Sequence, residues 1–116
     1  MTETMRVRVD RHDGVAVILT EGYINNQGGE EIARVAYDLI GEGQKTLLLN
    51  LAGTKIVNSI GISILIEIIE KVLEIEGRLA FCCLTPTIEK TFHIMGLAQY
   101  AGIYADEGSA IADLGG

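Results

Sequence analysis

Residues 49–62 read LNLAGTKIVNSIGI and pass from an apolar run into the start of a helix. The stretch 45–51 contains four leucines, and such a run is typical of a strand that is buried on both faces of a sheet. Asn58 is a favoured N-cap residue type, so Ser59 falls at the first helical position, where backbone N–H groups lack intrahelical partners. These residues predict a central strand, a loop at 52–58 and a long helix over 59–76.

Upstream of this stretch the sequence predicts a hairpin and a helix. Apolar runs at 5–9 and 15–20 flank the turn-forming residues 10–14, which is the pattern of two antiparallel strands joined by a tight turn. After a pair of glycines, apolar residues recur at helical spacing and predict a helix over 29–41.

Downstream, the long helix ends at Gly77 and a second buried strand follows, which predicts a βαβ crossover. Thr85 and Pro86 suit the N-cap and the first position of a short helix that Gly96 ends. The predicted elements after Gly77 are a strand at 79–84, a helix at 86–95, a strand at 100–104 and a helix at 107–114. The order ββαβαβαβα indicates one α/β domain over residues 1–116.

Composition excludes several classes of partner. With 48% hydrophobic residues, the 116-residue chain can bury a core without disulfides or metals. A net charge of −7 opposes the phosphate neutralisation on which nucleic-acid binding depends, and it also disfavours anionic membranes. No apolar run reaches the roughly 18 residues of a membrane span, and residues 1–10 lack the apolar centre of a signal peptide. We therefore expect a cytoplasmic protein that binds no nucleic acid and inserts into no membrane.

The cysteines and histidines predict no metal site and no cofactor. Cys82 and Cys83 are adjacent in a predicted strand, where their side chains would point to opposite faces, and a mutual disulfide would be strained. We interpret both as small packing residues. His12 and His93 form no metal-ligand spacing with them.

The long helix has an apolar edge where a charged surface is expected. At roughly 100° per residue the predicted buried stripe is formed by Ile62, Leu65, Ile66, Ile69, Val72 and Leu73. The opposite sector holds Glu67, Glu70, Lys71 and Glu74, an acidic face that is either simply solvated or meets a basic partner. Ile60 falls in that sector beside Ser63, and Ile64 lies at its border. Two exposed isoleucines near Ser59 favour a docking surface.

Catalysis is disfavoured. A catalytic serine needs a base and an orienting third group, and the Gly-x-Ser-x-Gly elbow is absent around Ser59, so we expect no catalytic residues. The glycine-containing stretch 41–46 lies between a helix and a strand, whereas a phosphate-binding loop follows a strand and precedes a helix. Ser59 is then either a helix-capping hydroxyl or a regulatory site.

The chain resembles the bacterial anti-sigma-factor antagonists, which are single STAS domains, along nearly its full length. The resemblance is carried by the hairpin, by GYIN at 22–25 and by AGTKIVNSIG at 52–61. In that family an apolar pair precedes Asp-Ser-Ser-Gly, and the first Ser is phosphorylated by a partner anti-sigma factor that is itself a kinase. Ser59 matches that Ser and Gly61 the Gly. Asn58 stands where Asp is usual, Ile60 where a second Ser is common, and Asn25 where an acid is frequent.

The resemblance implies a mixed central sheet with helices mainly on one face. It also implies an antagonist that binds a GHKL-type anti-sigma factor/serine kinase and is switched off by phosphorylation of Ser59. The predicted contact surface comprises Asn25, Thr54, Asn58, Ser59, Ile60, Gly61, Ser63 and Ile64. Two other roles remain open: a STAS scaffold subunit of a signalling assembly, and a cytosolic STAS accessory subunit of a membrane transporter. The oligomeric state is left open as well.

Overall fold

A computed structural model describes residues 5–115, so residues 1–4 and 116 of the predicted domain lie outside the described part. The strands are β1 (Arg6–His12), β2 (Val15–Glu21), β3 (Thr46–Gly53), β4 (Arg78–Cys82) and β5 (Gly102–Tyr104). The helices are α1 (Asn26–Gly41), α2 (Ser59–Glu74), α3 (Pro86–Ile94) and α4 (Glu107–Gly115), with a 3₁₀ turn at Leu97–Gln99. The predicted element order is confirmed.

The five strands form one mixed sheet in the order β1-β2-β3-β4-β5. β1 and β2 are antiparallel, and every later neighbour pair is parallel. Asp13 and Gly14 both have positive φ, 50° and 81°, which is the two-residue turn that matches the twist of a hairpin. β3 is central, and α2 forms the predicted crossover between the parallel strands β3 and β4.

β3 is buried on both faces of the sheet because two hydrophobic cores meet there. Leu47, Leu49 and Leu51 point into the larger core, which also contains buried side chains of α1, α2 and α3. Leu48 points into the smaller core beneath α4. The helices are therefore mainly on one face, as expected, and the continuous leucine run follows from burial on both sides.

Several element boundaries differ from the sequence prediction: α2 ends at Glu74, β4 spans Arg78–Cys82, and β5 begins at Gly102. Two of the other differences bear on the site. α1 begins at Asn26, three residues earlier than predicted, because its two glycines lie inside the helix and not before it. A Cβ at Gly29 would lie 2.9 Å from the Ile64 Cδ1 atom, so the glycine permits α1 and α2 to pack closely. β3 continues to Gly53, whose carbonyl accepts a hydrogen bond from Gly22 N at 3.1 Å.

The adjacent cysteines also differ from expectation. β4 ends at Cys82, and Cys83 turns into the left-handed region with φ 64°, so the two side chains do not point to opposite faces. Their Sγ atoms lie 3.5 Å apart and both thiols are free. Burial, together with the neighbouring Cys83 thiol, raises the pKa of Cys82. Both residues pack in the core beneath α4, which confirms the packing interpretation.

The buried stripe of α2 is rotated relative to the predicted one. Leu73 was expected inside but is 46% exposed, whereas Ile68 is completely buried. Ile68 lies one turn after Ile64, on the flank that meets α1, so a second helix buries a side chain that the pattern of α2 alone does not assign. None of the helices within residues 5–115 combines the length and apolar character needed to cross a membrane.

This rotation predicts unequal costs for two alanine substitutions in one helix. Ile68→Ala should lower the free energy of unfolding by about 2–5 kcal/mol, since it leaves a cavity in the core. Leu73→Ala should cost less than about 1 kcal/mol because the side chain is half exposed. Urea unfolding followed by circular dichroism measures both, and equal losses would contradict the observed rotation.

Candidate functional site

Two loops at the carboxyl edge of the parallel strands are joined into one surface. The loop after β2 and the loop after β3 pair through an isolated bridge between Ile24 and Val57. Ile24 N donates to Ile56 O at 3.0 Å, and Asn58 N donates to Ile24 O at 3.1 Å. Because α1 and α2 follow these loops directly, the N-termini of both helices lie at the same edge of the sheet.

Both helices start with the same four-residue pattern, Asn-x-x-Gly. Asn25 caps α1 and its Oδ1 accepts a hydrogen bond from Gly28 N at 2.8 Å. Asn58 caps α2 and its Oδ1 accepts from Gly61 N, also at 2.8 Å. The predicted N-cap of α2 is confirmed. Since Asn58 supplies the cap, the Ser59 hydroxyl is not needed for it.

The glycine of each pattern is required by the loop that passes between the two helix starts. A Cβ at Gly28 would lie 2.2 Å from the Tyr23 carbonyl oxygen, and a Cβ at Gly61 would lie 2.1 Å from that of Ile24. Real Cβ atoms do not approach a carbonyl oxygen so closely, so any larger residue would push the loop away. The family-matching Gly61 is therefore a packing requirement and contributes no contact surface.

The structure keeps three of the predicted contact residues fully at the surface. Ser59, Ile60 and Ser63 are exposed, and the Ser63 hydroxyl donates to Ser59 O at 3.1 Å. The exposed fraction of Ile60 is 53%, as expected for a residue in the charged sector. Asn25 and Asn58 are half-buried beside them, with their side chains used as caps.

Two of the other predicted contact residues need correction, whereas a third, Ile64, stays a prediction. Thr54 is completely buried, and its hydroxyl lies 2.7 Å from that of Thr20, so it holds the β2 and β3 ends together and does not face a partner. Gly61 is buried against Ile24. Ile64 is half-buried because it packs against Gly29 of α1.

Two exposed apolar side chains at this edge were not among the predicted contact residues. Tyr23 is 36% and Ile56 58% exposed, and together they line a shallow depression of about 220 Å³. The sequence contains a signal for their exposure, because successive side chains of an extended segment alternate between faces. With Ile24 buried and bridged to Val57, their chain neighbours Tyr23 and Ile56 point outward. We define the Ser59 face as the exposed side chains of Tyr23, Ile56, Ser59, Ile60 and Ser63.

Acidic side chains are absent from the first turns of both helices at this edge. The caps Asn25 and Asn58 are neutral, and each helix N-terminus carries the equivalent of about half a positive charge. The Ser59 face therefore combines apolar side chains with a hydroxyl held at an electropositive helix end, and the exposed Lys55 lies beside Tyr23 and Ile56.

The family comparison agrees with this architecture. The family model for the STAS domain matches residues 6–110. The chain belongs to the STAS domain family. An anti-sigma factor antagonist from Mycobacterium paratuberculosis superimposes with a TM-score of 0.85 at 21% identity, over 96% of this STAS domain and 94% of that chain.

Two further solved structures share the fold over nearly their full length. The Bacillus cell fate determinant SpoIIAA in its phosphorylated form gives a TM-score of 0.74 at 21% identity, covering 93% of this chain and 98% of SpoIIAA. An anti-sigma-factor antagonist (STAS) domain protein from Planctomyces limnophilus gives a TM-score of 0.81 at 19% identity. The match covers 95% of this chain and 98% of that chain. At these identities the likeness establishes the fold.

The close approach at the two helix starts predicts the response to alanine. Gly61→Ala and Gly28→Ala should each lower the free energy of unfolding by about 1–3 kcal/mol or more, because the new methyl group meets a backbone oxygen. Gly41→Ala is the matched control: it meets nothing within 4 Å and should be neutral or stabilise α1 by up to about 1 kcal/mol. Equal behaviour of all three variants in urea unfolding would show that the loop does not constrain the glycines.

Proposed function

We propose that this STAS domain is an anti-sigma-factor antagonist. It binds a GHKL-type anti-sigma factor/serine kinase through the Ser59 face, and phosphorylation of Ser59 ends that binding. The proposal is carried by one observation: Asn58 caps α2, which leaves Ser59 exposed at the first helical position without a structural task. The domain is then a regulated binding module with no reaction of its own.

The helix start can accept the modification. A phosphoserine adds about −1.5 to −2 charges, which a helix N-terminus stabilises. Neither first turn at this edge contains an acid, so the phosphate meets no like charge there. Asn58, where the resembling family usually has Asp, removes one further source of repulsion. The fold should therefore survive phosphorylation.

An interface on the same face would not tolerate it. Tyr23, Ile56 and Ile60 expose apolar surface at the same edge as Ser59, which a partner must dehydrate to cover. A dianionic phosphate in the centre of such a contact is costly to bury without a cationic partner. Phosphorylation can thus release the partner without unfolding the domain.

A similar protein supports the expectation that the fold survives phosphorylation. SpoIIAA has been determined in a phosphorylated and an unphosphorylated form, and both share this fold with TM-scores of 0.74 and 0.73. In that protein, phosphorylation is compatible with the STAS architecture. We infer the same compatibility here for Ser59.

The binding test compares a charge at Ser59 with the same charge elsewhere. Ser59→Asp should weaken binding to the anti-sigma factor of the same organism by roughly tenfold or more, because it places a carboxylate inside the interface. Ser59→Ala should bind like the wild type. Ser109→Asp, which adds the same charge to an exposed position on α4, is the matched control and should leave affinity unchanged. Isothermal titration gives the three dissociation constants, and wild-type affinity for Ser59→Asp would refute the switch.

Phosphorylation itself has a separate readout. Incubation with the same anti-sigma factor and ATP should add one phosphoryl group to the wild type and none to Ser59→Ala, as measured by intact mass. Addition of phosphate to Ser63 or Ser109, located by peptide mass spectrometry, would place the modification elsewhere and contradict the assignment to Ser59.

A further inference from the structure

A second apolar surface lies at the opposite end of α2 from Ser59. Leu73, Met95 and Tyr100 are 46%, 49% and 63% exposed, far more than core side chains of their size. They line a groove of about 500 Å³ between the second half of α2 and the segment around the 3₁₀ turn. We call it the α2–α3 groove because its second wall is the segment that directly follows α3. Its lining residues are Ile66, Ile69, Glu70, Leu73, Met95, Gly96, Gln99 and Tyr100.

The far end of the groove lies well away from the Ser59 face. Leu73 follows Ser59 by fourteen residues of one helix, which corresponds to about 21 Å along the axis. A partner on the Ser59 face could leave Leu73, Met95 and Tyr100 uncovered, although Ile66 at the near end of the groove follows Ser63 by only three residues. Ile66 and Ile69 provide apolar surface inside it, and no strand edge lines it, so an extended peptide could not pair with the sheet there.

The groove has an acidic rim. Glu70 lines it, and Glu67 lies one turn earlier on the same helix, exposed like Glu70. Within residues 5–115 neither carboxylate has a cation within salt-bridge distance, whereas Glu74 pairs with Lys71 at 3.5 Å. Burial is the largest cause that raises the pKa of the nearby Tyr37 phenol, and the charges of Glu67 and Glu70 raise that pKa further. The charged side chains in this part of α2 are therefore mainly acidic, with Lys71 as the single cation beside Glu67, Glu70 and Glu74.

We propose that the α2–α3 groove binds a basic amphipathic helix of another protein. Apolar side chains on one face of that helix would lie against Leu73, Met95 and Tyr100, and its Lys or Arg side chains would reach Glu67 and Glu70. This is helix-in-groove recognition with complementary charge. A second copy of this chain is a poor occupant, because a two-fold contact would bring the two acidic rims together in a chain of net charge −7.

The test uses two synthetic helical peptides that differ only in charge. Both carry leucines at helical spacing on one face; one has lysines on the other face and its match has glutamates. Added to the isotope-labelled protein, the lysine peptide should shift the backbone amide signals of residues 66–73 and 95–100 and leave those of 56–63 unchanged. The glutamate peptide should bind at least tenfold more weakly, as expected for like charges.

Variants separate specific binding from general attraction. Leu73→Ala and Glu70→Lys should each weaken lysine-peptide binding by roughly tenfold. Glu30→Lys makes the same charge change at an exposed site on α1 and should have little effect. The proposal is overturned if the groove signals do not shift, if both peptides bind equally, or if Glu30→Lys weakens binding as much as Glu70→Lys. It is also overturned if the groove signals depend on protein concentration alone, since a second copy would then occupy the groove.

Discussion

The structure at the Ser59 edge depends on the passage of Tyr23 and Ile24 between two helix starts. Their carbonyl oxygens lie where the Cβ atoms of Gly28 and Gly61 would be, so the third residue of each helix must be glycine. Glycine in a helix costs roughly 0.5–1 kcal/mol relative to alanine. The asparagine caps at Asn25 and Asn58 and the hydrogen bonds between the loops offset this cost. The same contact also orients α2.

The orientation of α2 determines which side chains are exposed. With roughly 100° between successive residues, Ser59 and Ser63 each lie about 160° from Gly61 around the helix axis. Because Gly61 must face Ile24, both serines must face away from the domain. The exposure of Ser59 is therefore a consequence of the buried glycine two residues later.

Local chemistry made much of this fold predictable from the sequence. The hairpin turn at Asp13 and Gly14, the leucine run of β3 and the Asn58 cap each follow from residues that are close together in the chain. The errors involve distant partners. Thr54 is buried and hydrogen-bonded to Thr20, thirty-four residues earlier, and Ile64 packs against Gly29 of α1, which a pattern within α2 does not reveal. The glycines of α1 resemble a helix boundary in the sequence for the same reason, since the atoms they make room for belong to other elements.

The two surfaces of α2 are suited to independent use. Charge effects between exposed sites are screened within about 8–10 Å at physiological salt, whereas Glu67 and Glu70 follow Ser59 by about 12 and 16 Å along the helix axis. A phosphate at Ser59 would therefore act mainly on the contact made there and only weakly on the acidic rim of the groove. A single domain could be regulated at one end of a helix while it stays bound at the other.

The central claim is that a partner covers the Ser59 face, and amide hydrogen exchange of the complex with the anti-sigma factor tests it most directly. We expect slower exchange in the two loops and the first turn of α2, at residues 22–27 and 55–62, with exchange in α4 and β1 unchanged. Slower exchange in α4 or β1, with no change around Ser59, would contradict it.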